Sequence, residues 1–296
     1  MAALSVKYQV KDLGHPSQFL GMRIEQSDKG ILVSQAAYVG EALHRSAMQP
    51  ARMQPTPMIP NTRLDEFQDS PPDNEDAEMR RMPYRHVVGS LLYTLKVAWI
   101  AAKYLLRYLS GTQTIRLRLA PSSSGIDVVT DADLANNKAD RKSVSDCLDY
   151  LFAFPVAWSS TKHGVVAQYS TTAELIAAND GLLLAKWIKL VVDEILHQVL
   201  PPTKLTLQVD NVPTIHRIKH EGSSGAQKAV DICFRALKDA WKHDDMAIEY
   251  IPTEVIPADK LTKSLTSSQL RNKRGSISTR VTIRVVACVG GVEQGN

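Results

Sequence analysis

Few of the usual quick assignments are open to this chain. It has three cysteines in 296 residues, Cys147, Cys233 and Cys288. They are far apart, odd in number and form no CxxC pair, so neither a zinc site nor a disulfide framework is indicated. A reducing compartment, cytosol or nucleus, is therefore expected. No apolar run approaches the roughly 18–20 residues needed to span a bilayer, so no membrane partner is expected. Residues 1–14 lack a basic segment followed by a long apolar one, which argues against a secretory signal. Aromatic residues make up only 6%. Apolar residues still reach 44%, ordinary for a globular protein and enough for a sizeable core.

A strong overall charge is also missing. The net charge is +4, from 35 basic and 31 acidic residues. Residues 266–296 hold five of the basic residues and one acid, which leaves 30 of each sign in the first 265. Bulk attraction for phosphate backbones is not implied there. Nucleic-acid binding would need a local patch or metal ions.

What is present is a change of pattern along the chain. Phe19–Ile24 and Ile31–Val33 flank a turn-rich tetrad, Ser27–Gly30, which predicts a hairpin. Ala36–Met48 has helical spacing. Residues 51–83 hold six prolines and the acidic run DSPPDNEDAE, and read as an exposed linker. Residues 84–112 read as a helical connection. From Thr114 strands come first and helices later. Strands are expected over Thr114–Ala120, Ile126–Asp131, Cys147–Phe154, Val156–Ser160, Leu205–Asp210 and Ile248–Ile251. Helices are expected over Ser170–Gln198, Ala226–Trp241 and Pro257–Leu265. In this order they predict an α/β fold with a mixed sheet and flanking helices over 113–265. Residues 266–296 form a basic tail with no partner element, expected to be disordered.

Four acids stand where metal-dependent chemistry would want them. Asp131 ends a strand, and so does Asp210. Glu174 falls in the expected first turn of the long helix, and Asp259 opens the last one. Functional groups in open α/β sheets gather at strand carboxyl ends and helix starts. A cluster built from four elements would repel itself when empty. Mg²⁺ relieves such repulsion, because it is a hard cation that takes oxygen ligands. Two such ions would hold an attacking water and a leaving oxygen in line across a phosphodiester. Singly, each acid has an ordinary alternative as turn chemistry or as complement to a helix dipole.

The segments around these acids resemble a known family. Thr130–Ala135, Asp140–Ser143, Trp158–Lys162, Ser170–Glu174, Val209–Asn211, Tyr250–Glu254 and Ala258–Lys263 resemble the ribonuclease H domain of copia-type retrotransposon Pol polyproteins. In the first half, Lys11–Gly14, Phe19–Gly21, Tyr84–Arg85, Gly89–Tyr93 and Leu106–Thr112 look like the end of that family's reverse transcriptase and the connection onward. Residues 1–50 would then be a reverse-transcriptase remnant. The resemblance implies a ribonuclease H-like fold over 113–265. It implies that Asp131, Glu174, Asp210 and Asp259 are catalytic metal ligands for two Mg²⁺ ions, with Mn²⁺ as a substitute. The implied reaction is hydrolysis of the RNA strand of an RNA–DNA hybrid, read through 2′-hydroxyls in a wide minor groove. Lys142, Ser143 and Asn211 are candidate substrate-binding residues.

The chain also departs from the family. It contains no Tyr-x-Asp-Asp strand, so reverse transcriptase activity is not expected. The helical stretch between Tyr93 and Leu109 is shorter. A usual histidine is replaced within Lys228–Ile232, and a usual glycine is Asp146, followed by Asp149. Charges inside a strand are expected on an exposed face or an edge. The loop before Asp259 carries Pro252-Thr253-Glu254 where many ribonucleases H have a histidine. Two other readings stay open: an inactive, truncated retroelement remnant that at most binds nucleic acid, and an integrase-like strand transferase. Trp158–Ser160 and Tyr250–Thr253 favour the ribonuclease branch over the latter. The oligomeric state is not set by these features.

Overall fold

The computed structural model describes residues 14–28, 30–46, 52–59, 95–119, 123–197, 201–220, 228–243, 245–253, 256–258 and 266–268. The elements are β1 (Gln18–Phe19), β2 (Met22–Ser27), β3 (Gly30–Ser34), α1 (Ala36–Arg45), α2 (Leu95–Thr112) and β4 (Leu117–Leu119). Then follow β5 (Gly125–Asp133), β6 (Val144–Leu151), β7 (Phe154–Lys162), α3 (Ser170–Leu196), β8 (Lys204–Val209), α4 (Val212–Lys219), α5 (Lys228–Lys242) and β9 (Ala247–Tyr250). The strands make two sheets, ordered β1-β2-β3-β4 and β7-β6-β5-β8-β9.

The first sheet is antiparallel throughout. The expected hairpin forms as β2 and β3, joined where Ser27 pairs with Gly30. β4 corrects one expectation. The sequence pattern puts Thr114–Ala120 at the start of the domain from 113, yet its strand pairs with β3 through Leu32 and Arg118. A second correction falls on the linker. Residues 52–59 lie against α2: Gln54 donates its backbone N–H to the Arg107 carbonyl, and Thr56 Oγ1 lies 3.0 Å from the Tyr104 hydroxyl. The rest of the linker, residues 60–83, lies outside the described residues, as do residues 269–296 of the tail.

The second sheet is the expected mixed α/β sheet. β5, β6 and β7 are antiparallel neighbours, while β5 pairs with β8 and β8 with β9 in parallel. α3 supplies the crossover that a parallel pair requires. One sheet face packs under α3, where Ile126, Val128, Leu175, Ala178, Leu182, Leu207 and Leu237 form the main core. Gly181 permits this approach. A Cβ there would lie 2.8 Å from methyl carbons of both Val128 and Thr130. On the other face Val129, Leu148, Tyr150, Ile256 and Ala258 make a smaller cluster. Away from the sheet, α3 leaves Leu183, Trp187, Leu190 and Ile195 exposed.

β6 and β7 differ from expectation. The strand read as Cys147–Phe154 runs from Val144 to Leu151, and the chain reverses at Phe152 and Ala153. Both have positive φ, 53° and 70°. That backbone suits a two-residue hairpin turn, but neither residue type advertises it. Asp146 and Asp149 were expected at an exposed face or an edge. β6 is an interior strand, and both are fully buried.

Candidate metal centre

The ladder between β5 and β8 brings two strand ends together. Thr130 pairs with Val209, so Asp131 and Asp210 follow side by side on parallel neighbours. Asp131 is not the last strand residue, because β5 continues to Asp133. α3 then delivers Glu174. It lies one residue beyond the first turn, which contains no acid. The hydroxyls of Ser170, Thr171 and Thr172 do not cap the helix, since Tyr169 occupies that position without a side-chain bond.

Asp131, Glu174 and Asp210 each present a carboxylate oxygen within 4.8 Å of the others. Asp131 and Glu174 are 4% and 5% exposed, and Asp210 is half-buried. Three carboxylates so close suit a hard divalent cation, which oxygen donors bind and whose charge offsets their repulsion. The fourth expected ligand, Asp259, lies outside the described residues. The residue before it, Ala258, is buried in the cluster that contains Val129. Asp133 is half-buried and is not in the convergent set.

The other candidates lie in the loops after β5 and β8. Asn211 caps α4: its Oδ1 accepts from the Thr214 backbone N–H and hydroxyl, both at 2.9 Å. Ser143 is fully buried, and its Oγ accepts the Ala135 backbone N–H at 3.1 Å. Ala135 has φ 52°, so that bond holds a left-handed residue in the loop after β5. Lys142 is half-buried, and its backbone N–H bonds to the Asp140 carboxylate.

Two nearby features were not anticipated as parts of the site. Asp146 is the register partner of Asp131, so the two carboxylates share one face of adjacent strands. Thr253 donates its hydroxyl to Asp210 Oδ2 at 2.8 Å. The motif around Thr253 was visible, but a bond spanning 43 residues was not. A polar line lies on the α3 side of β6. Ser145 Oγ and His163 Nε2 are hydrogen-bonded at 2.6 Å, and Ser145 also bonds Asp180 of α3. Burial holds the His163 imidazole down at about 4. Its Nδ1 finds no partner among the described residues, so a second ring proton would be unsatisfied.

The mixed five-stranded sheet thus gathers carboxylates from two strand ends and one covering helix. The Pol polyprotein from transposon TNT 1-94 of Nicotiana tabacum is 29% identical over 288 residues, covering 88% of this chain and 21% of that protein. The Pol polyprotein from transposon RE1 of Arabidopsis thaliana is 26% identical over 302 residues, covering 94% and 20%. Over most of its length the chain is similar to copia-type retrovirus-related Pol polyproteins of transposons. It spans about a fifth of the length of these curated relatives. No protein-family model matches it. Among solved structures, LC11-RNase H1 in complex with an RNA/DNA hybrid is similar at 13% identity and a TM-score of 0.34, covering 46% of this chain and 92% of that one.

Proposed function

We propose that residues 113–265 contain a ribonuclease that hydrolyses the RNA strand of RNA–DNA hybrids, with no polymerase activity in this chain. The observation that carries the reading is the meeting of Asp131, Glu174 and Asp210 from three separate elements within 4.8 Å. These residues, with Asp259 as the fourth, would hold two Mg²⁺ ions. Bound there, the ions would lower the pKa of an attacking water and offset charge on the departing 3′ oxygen. The chain's own part is to keep three negative groups in fixed directions. Asp131 is fixed by the β5 ladder, Glu174 by the α3 backbone, and Asp210 by its place between β8 and the capped start of α4. Lys142, near the start of β6, is available to meet a phosphate of the hybrid.

A folded but inactive nucleic-acid binder is the second reading. Asp146 favours it, since a further buried carboxylate beside Asp131 alters the charge that a cation would meet. One assay separates the two. The protein is incubated with an RNA–DNA hybrid and Mg²⁺ beside Asp210→Asn. Cleavage by the parent and none by the variant is expected. A folded parent that leaves the RNA strand intact would establish the inactive reading.

A further inference from the structure

Asp210 is the least constrained of the three acids. Asp131 and Glu174 are buried within a strand and a helix, whereas Asp210 lies one residue past β8 and is half-buried. A carboxylate in that place turns easily about its terminal torsion, which has a broad profile. β9 lies parallel beside β8, with Val209 opposite Tyr250. The pairing continues one step, as Ile251 donates to the Val209 carbonyl at 3.1 Å. Two residues later Thr253 Oγ1 reaches Asp210 Oδ2 at 2.8 Å. The loop carrying Thr253 is tied at its far side as well. Ile256 donates to the Pro252 carbonyl at 3.1 Å, and Ile256 and Ala258 are fully buried.

We propose that Thr253 is a positioning residue of the metal centre, fixing the Asp210 carboxylate in its ligating orientation. The inference rests on reading the three acids as a metal centre. The hydroxyl donates one proton to Oδ2. Oδ1 and the second lone pair of Oδ2 stay available to a cation. A threonine hydroxyl neither gains nor loses a proton near neutral pH, so Thr253 acts through Asp210 and not as an acid or base. Groups that orient a metal ligand in this way typically change metal affinity by about 10–100-fold when removed. Because this bond joins an exposed threonine to a half-buried acid, its effect falls at the lower end.

The test uses the full chain with Thr253→Val, which keeps the shape and removes the donor, and Thr253→Ser, which keeps the donor. Mg²⁺ binding is measured by calorimetry without nucleic acid, and Mg²⁺ dependence by hybrid cleavage. Melting in EDTA reports folding. Thr253→Val is expected to weaken Mg²⁺ binding about tenfold and to move half-activation by the same factor. At saturating Mg²⁺ its cleavage rate should stay within about twofold of the parent, and Thr253→Ser should match the parent throughout. Parental Mg²⁺ affinity in Thr253→Val overturns the inference, and so does a serine variant that behaves like valine. If the parent binds Mg²⁺ but cleaves no hybrid, the nuclease reading fails alone, and calorimetry still decides the role of Thr253. A parent that binds no Mg²⁺ overturns both.

Discussion

Two kinds of buried acid share the β5–β6 ladder. At its open end Asp131 meets Glu174 and Asp210, drawn from other elements. Three rungs deeper Asp149 lies opposite Val128, fully buried in the main core. Neither of its oxygens has a hydrogen-bond partner among the described residues. The two sites relieve the same cost differently. A lone carboxyl in apolar surroundings keeps its proton, and burial pushes Asp149 up to about 7. Acids held together at a strand mouth, with one of them half-buried, have a second route through a cation. Burial alone therefore does not separate the two kinds of acid. Convergence from several elements does.

The largest effect that would break this comparison is at the mouth. In Mg²⁺, Asp131→Asn is expected to lower the hybrid cleavage rate by more than the roughly 100-fold that groups merely orienting a ligand can cost. In EDTA the same variant should be more stable than the parent by urea denaturation. Like charges about 5 Å apart repel by roughly 3 kcal/mol at an effective dielectric constant near 20, so a gain on the order of 1–3 kcal/mol is expected. Equal activity would place Asp131 with Asp149 as an acid without a role in cleavage, and lost stability in EDTA would overturn the repulsion argument.

Next is Asp149. A carboxyl raised from 3.8 to about 7 destabilises the fold at pH 8 by on the order of 4 kcal/mol relative to its unfolded state. Asp149→Asn should recover on the order of 2–4 kcal/mol there, less whatever the buried amide costs, and change Mg²⁺ binding little. Urea denaturation at pH 8 and calorimetry check the two halves. The pH profile sharpens the point. Asp149 binds a proton in the folded state that the unfolded chain has lost, so its contribution falls as pH rises from 3.8 to about 7. His163 is the reverse. Its folded value of about 4 lies below 6.5, so its contribution is complete above 6.5 and is lost as pH falls to about 4. Between about 4 and 6.5 the two slopes oppose each other. Asp149→Asn should expose the His163 slope, adding to the parent's pH dependence a rise of about 1.4 kcal/mol per pH unit in that window. His163→Gln should expose the opposite slope.

The same contrast shows what could be read without coordinates. β5 and β8 announce themselves as apolar runs that stop on acids, and α3 by its length. Because their order fixes which ends meet, Asp131, Glu174 and Asp210 were accessible from the sequence and its family resemblance. Asp149 was not, because an acid between apolar neighbours reads as an exposed position of an alternating strand. Only the neighbours of β6, with β5 on one side and β7 on the other, bury it. The turn at Phe152 and Ala153 was hidden for a related reason. Left-handed backbone without glycine or asparagine is held by packing, and Phe152 lies against the main core. β4 has only three residues, too few for alternation to choose a partner sheet. Bonds between distant residues, such as Thr253 to Asp210, leave no local pattern.

Asn211 offers the smallest effect, and it asks whether a residue beside the mouth serves the fold or the substrate. Its side chain is occupied as the cap of α4 through Thr214. Asn211→Ala should therefore cost about 1 kcal/mol of stability, the usual loss when such a cap is removed. That loss alone says nothing about substrate. Asn211→Ser separates the roles, because serine caps a helix about as well but lacks the amide that could meet a sugar or phosphate. If capping is the whole role, the serine variant keeps both parental stability and parental KM for the hybrid. If the amide also contacts the hybrid, stability is kept while KM rises several-fold with kcat little changed. The second result would move Asn211 from the supporting structure to the site itself, one residue from Asp210.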